Sequence, residues 1–216
     1  MARQDDYKES FRLAADELKG SDLKRLAAGA EAEVAGEEEE GVRLRVAFLG
    51  NPFIVSVGDT VEVLRDGSGD PVSLPEQILI CHYLLRAPAE PESERFITFR
   101  EIPDGQFYYD AFRRRTRDPF LSAFGNEGDL FRRAALMLGG KLVEGGDIAM
   151  QFRVFPRVPV RLVLWAGDEE FPPEVGILFD SNIRGSLSAE DVAVLTGMLV
   201  YRLMGIARQV HATAPR

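Results

Sequence analysis

The sequence has a single cysteine, Cys81, among 216 residues. No intramolecular disulfide can form, and there is no cysteine-based zinc or iron–sulfur motif. Histidine is nearly as scarce: His82 and His211 are the only two. With so few imidazoles, a Ser-His-Asp triad has almost nothing to be built from. No run of about 18 apolar residues exists to span a bilayer. The start, MARQDDYKES, lacks the apolar core of a signal peptide. These absences set the expectation of a cytoplasmic protein with no membrane partner. Positive charge is also short, with 26 Lys and Arg against 35 Asp and Glu, a net charge of −9. Phosphate backbones need a basic face, so the expected partners do not include nucleic acid. No phosphate loop, dinucleotide fingerprint, nucleophile elbow or zinc-protease helix occurs.

What is present is the balance of an ordinary globular protein: 45% apolar and 28% charged residues. Such a chain can bury a sizeable core without disulfides or metal clips. Residues 3–19 read as an amphipathic helix, with Tyr7, Phe11, Ala14, Ala15 and Leu18 at helical spacing. Gly20 ends it, and Ser21 is placed to cap a short second helix, so N-terminal helices occupy residues 3–30. The acidic run Glu37 to Glu40 repels itself and belongs in water. Residues 42–64 alternate apolar and polar between turn signals, which predicts a small antiparallel meander.

Residues 74–209 read as a core of sheet and helices. LPEQILICHYLL is a compact helix with Pro75 at its start. Residues 95–102 alternate as a strand. The segment QFYYDAFRRRTRDPFLSAFG predicts two short helices broken at Asp118-Pro119, and GDLFRRAALMLGG a further helix ended by paired glycines. Residues 148–154, 158–165 and 175–180 are strands. Ser188 and Asp191 form a capping box for the last helix, whose tail is expected to fray after Ala207. The expected fold class is α+β in a single domain, a largely antiparallel sheet with helices packed on it.

Several segments resemble the domain-of-unknown-function family 3786, a group found largely in anaerobic bacteria and archaea. They are LPEQILICHYLL, RFITFREIPDGQFYYDAFRRR, the LGG at 138–140, FPRVPVRLVLWAGDEEFPPEVGILFDSNIRGSL and the last helix. The resemblance implies no reaction and no catalytic residues. It implies a context of corrinoid, metal or redox chemistry, because some relatives join this domain to an iron–sulfur module. This chain lacks the cysteines for such a module.

Three constellations can carry chemistry. Asp168, Glu169, Glu170 and Glu174 sit in the connection between two strands, and Asp180 ends the second. Paired carboxylates bind hard cations. The same residues also describe a solvated hairpin tip and a backbone-bonded turn. A hairpin pairing puts Asp180 at the opposite end from the other acids. His82 can ligate haem, cobalt or zinc, but a lone histidine on an apolar helix is also an ordinary core residue. Tyr108 and Tyr109 precede Arg113, Arg114, Arg115 and Arg117. Arginine forks hold carboxylates and phosphates, and they equally pair with a protein's own acids.

The first reading is therefore non-catalytic binding of an anionic small molecule or cofactor, with a corrinoid or other tetrapyrrole as one form. Its ligand-binding residues are His82, Tyr108, Tyr109, Arg113, Arg114, Arg115 and Arg117. The second is a metal-assisted hydrolase using Asp168, Glu169, Glu170 and Asp180. The third is a protein-interaction or assembly domain that docks a partner protein through the last helix or an open sheet edge.

Overall fold

The computed structural model describes residues 2–38, 41–70 and 72–213, with side chains for 4–36, 41–70 and 72–210. The fold is α+β: α-helices with two antiparallel sheets of four and five strands. The chain divides into two compact units. One holds residues 1–91 with Phe155–Arg157 and Gly185–Leu187, and the other holds the remainder.

The first unit opens with α1 (Ala2–Lys19) and α2 (Leu23–Gly29). Asp22, not Ser21, caps α2, its carboxylate accepting from the Arg25 N–H at 3.1 Å. Ser21 instead donates back to the Glu17 carbonyl. The sheet has the order β1 (Glu33–Glu38), β2 (Gly41–Phe48), β3 (Asn51–Val57) and β4 (Val61–Arg65). The alternation behind the predicted meander is real: Leu44, Val46, Phe48, Phe53, Val55, Val57, Val61 and Val63 are all buried. The strand β1 was not expected, because its glutamates suit water. Backbone pairing with β2 makes this segment the edge strand of the sheet. Of the acidic run, Glu39 and Glu40 lie outside the described residues.

Helix α3 (Leu74–Arg86) begins at a Ser73/Glu76 capping box and packs against α1. Its inner face buries Ile80, Cys81, Tyr83 and Leu84. The Tyr83 ring stacks on Phe155 at 4.2 Å, and Phe155 stacks on Phe48 at 4.6 Å. The Tyr83 hydroxyl donates to the Ala30 carbonyl at 2.8 Å and accepts from the Arg157 N–H at 3.2 Å.

The second unit contains a sheet of order β5-β9-β8-β7-β6. Its members are β5 (Phe96–Thr98), β6 (Lys141–Val143), β7 (Ile148–Phe155), β8 (Val158–Trp165) and β9 (Glu174–Asp180). The strand expected over 95–102 is only three residues long. A Thr98/Glu101 capping box turns the chain into a 3₁₀ turn at Phe99–Glu101. Helices α4 (Gly105–Arg115), α5 (Arg117–Phe124) and α6 (Gly128–Met137) each pack against the last helix, α7 (Ala189–Thr213). The predicted capping box starts α7: the Ser188 hydroxyl accepts from the Asp191 N–H and lies 2.8 Å from its carboxylate. The helix continues to Thr213, past the expected fraying point, because Ala207 and Val210 are still buried.

Candidate functional site

The helix break near the arginine run falls at Thr116, not at Asp118-Pro119. A proline inside a helix lacks an N–H and clashes with the carbonyl four residues back. Restarting the helix at Arg117 puts Pro119 in a first turn, where no N–H is needed. Thr116 is fully buried, and its hydroxyl donates to the Phe112 carbonyl at 2.7 Å. Arg113 and Arg117 thus stand on two helices that meet at this kink.

The start of α4 is fixed as tightly. Asp104 adopts a left-handed conformation, with φ of 61°. A Cβ on Gly105 would lie 2.0 Å from the Phe99 carbonyl oxygen, so only glycine fits there. This close approach sets α4 against the 3₁₀ turn, with Phe99 and Phe112 stacked at 4.0 Å. The same turn carries Arg100, whose guanidinium sits over the Tyr109 ring at 3.8 Å.

Around Tyr109 the structure gathers a basic cluster. Arg113 and Arg117 flank Asp118, at 3.8 and 3.7 Å. One guanidinium nitrogen of Arg117 donates to both carboxylate oxygens of Glu174, each at 2.7 Å. That hydrogen bond raises the Arg117 pKa, and the charges of Glu174, Tyr109 and Asp118 add to the effect. Arg113 and Arg117 share Asp118, Arg117 also pairs with Glu174, and Arg100 makes no ion pair among the described residues. The cluster is open to solvent, with the Arg113 side chain 45% exposed.

The remaining members of the expected arginine and tyrosine set scatter. Arg114 is exposed and makes no ion pair among the described residues. Arg115 is half-buried, its Cβ near Gly197 of α7. Tyr108 pairs edge-on with Phe107, which is 85% exposed. Arg100 was not among the expected residues. Read as a strand position, it gave no reason to meet Tyr109.

His82 lies on α3 in the first unit, half-buried and already engaged in an interaction. Its neighbour Cys81 is fully buried, and burial pushes that thiol up to about 12. His211 falls within α7, but its side chain is outside the described residues.

The acids assigned to a metal do not form one site. Trp165 pairs with Glu174 and Val160 with Phe179, so Asp180 and the acidic connection occupy opposite ends of the β8–β9 hairpin. Six residue steps separate Glu174 from Asp180, roughly 20 Å. Asp168, Glu169 and Glu170 are exposed. Asp168 accepts from the backbone N–H groups of Phe171 and Glu170, at 2.7 and 2.8 Å. Those bonds hold its carboxyl below the usual range. Asp180 is buried and saturated: Ser93, Glu94 and Asn182 donate backbone N–H groups to it, and the Ser93 hydroxyl adds a fourth donor. Among the described residues, no group of three or more His, Cys, Asp or Glu is placed to hold a metal ion. None of the described helices is long and apolar enough to cross a membrane.

A sequence profile of a domain of unknown function (DUF3786) matches residues 22–202. The chain belongs to this family. The DUF3786 match takes in every element from α2 to β9 and most of α7, so the basic cluster, Glu174 and the Asp180 loop all lie inside the family domain. No curated protein and no solved structure matches the chain.

Proposed function

We propose that this DUF3786 protein binds a small anionic molecule, without transforming it, at the basic cluster formed by Arg100, Tyr109, Arg113 and Arg117. The observation that carries the reading is the stacking of Arg100 on Tyr109 of α4, whose end presents Arg113 with Arg117 around Asp118. Arginines crowded together repel one another, and a bound anion relieves that repulsion. A flat guanidinium held on an aromatic ring is pre-oriented and loses little freedom on binding. The ligand class is carboxylate or phosphate, with exposed aromatic surface at Phe107 available to an apolar body.

A tetrapyrrole is one member of this class, because haem carries carboxylates and a corrinoid a phosphodiester. Absorption titrations with haem and with cobalamin test this version. A shifted Soret or corrin band that is absent in Arg100→Ala supports it. No spectral change at micromolar protein rejects it and leaves the smaller anions.

A further inference from the structure

We propose that Glu174 is a built-in competitor for this site: its carboxylate occupies Arg117 until a ligand carboxylate displaces it. The inference rests on the anion-binding reading above. It adds two things, the chemical class of ligand and a residue that sets the affinity.

The geometry shows what Arg117 accepts. Both oxygens of Glu174 lie 2.7 Å from one guanidinium nitrogen, so the pair is not the two-nitrogen fork that arginine can make with a freely oriented carboxylate. The Glu174 side chain is 56% exposed, so a ligand can approach the pair and the freed glutamate can turn into water. Arg117 is more buried than its partner, with a side chain only 28% exposed. The arginine is thus the fixed half of the pair and the glutamate the movable half. Glu174 also sits at the first residue of β9, beside the exposed connection that holds Asp168 to Glu170. Displacing it breaks no core contact. Arg113 then provides a second anchor for a ligand carrying two carboxylates, since it shares Asp118 with Arg117.

The competing pair also accounts for a basic cluster that persists in a chain of net charge −9. An arginine left bare would attract any passing anion. One covered by an internal carboxylate admits only a ligand that binds better than Glu174 does.

The test is calorimetric titration of citrate into the full chain at low ionic strength. Four forms are compared: wild type, Glu174→Gln, Glu170→Gln and Arg117→Ala. Removing an exposed competing carboxylate should tighten citrate binding by about 1.5- to 5-fold in Glu174→Gln. Glu170→Gln removes the same charge from the same connection without touching Arg117, and should leave affinity unchanged. Equal tightening in both glutamine variants would mean that net charge alone acts, and would overturn the competitor role. So would unchanged or weaker binding in Glu174→Gln when wild type binds and Arg117→Ala does not. Absence of citrate binding in wild type and in Glu174→Gln alike would instead reject the anion-binding reading itself.

Discussion

Asp180 and Ser93 are 87 residues apart in sequence and joined by three hydrogen bonds. The carboxylate at the end of β9 holds the backbone of Ser93 and Glu94, where Glu94 is forced to a φ of 58°. A buried acid with this many donors is a structural anchor for the loop that leads into β5. Asp180→Ala leaves those N–H groups without a partner and should destabilise the protein by about 2–4 kcal/mol. Asp180→Asn keeps one acceptor and should cost less. Urea denaturation measures both, and a loss below about 0.5 kcal/mol for the alanine variant would contradict the anchoring role. Neither change should alter anion binding.

Tyr83 combines two attachments. Its ring lies flat on Phe155, and its hydroxyl bridges the Ala30 carbonyl and the Arg157 N–H. Tyr83→Phe keeps the stack and loses the bridge. The expected cost is about 1–3 kcal/mol, because two backbone groups lose their partner. Tyr83→Ala should cost more, about 3–5 kcal/mol, by opening a cavity. Equal losses in the two variants would show that the stack contributes nothing.

Burial raises the Cys81 thiol to about 12 from an ordinary 9.0. Between these values the unfolded chain gives up the proton and the folded chain keeps it. The unfolded state binds fewer protons there, so stability falls as pH rises. This contribution is fully present below about pH 9 and is lost as pH climbs towards 12. Cys81→Ala should flatten the decline between pH 9 and 11 in denaturation curves. A thiol reagent at pH 8 should label the native protein far more slowly than the unfolded one. Prompt labelling of native protein would contradict the burial.

Much of the fold can be read directly in the chain. The α3 helix announces itself by Pro75 and a tight apolar run, and the last helix by Ser188 and Asp191. The β8–β9 hairpin, with its acids at opposite ends, follows from two apolar strands around a turn. What is not legible depends on distant partners. Strand β1 exists because β2 offers it hydrogen bonds, against the preference of its glutamates. Strand β6 has three residues, too few for any period to show. The kink at Thr116 reflects where Pro119 is tolerated, which a proline in the sequence leaves ambiguous by a few residues. Within the basic cluster, Tyr109, Arg113 and Arg117 are visible in the sequence as a run of arginines behind paired tyrosines. Arg100 and the pairing with Glu174 arise from tertiary packing, 9 and 57 residues away in sequence.

The basic cluster itself is tested by one comparison, citrate titrated into wild type and into Arg100→Ala, Arg113→Ala and Arg117→Ala, each checked for native circular dichroism. One saturable site per chain is expected in wild type, weakened by added salt. Affinity should fall about tenfold or more in at least Arg100→Ala and Arg117→Ala. Affinity unchanged across all three folded variants, or no saturable binding in wild type, would contradict the anion-binding reading.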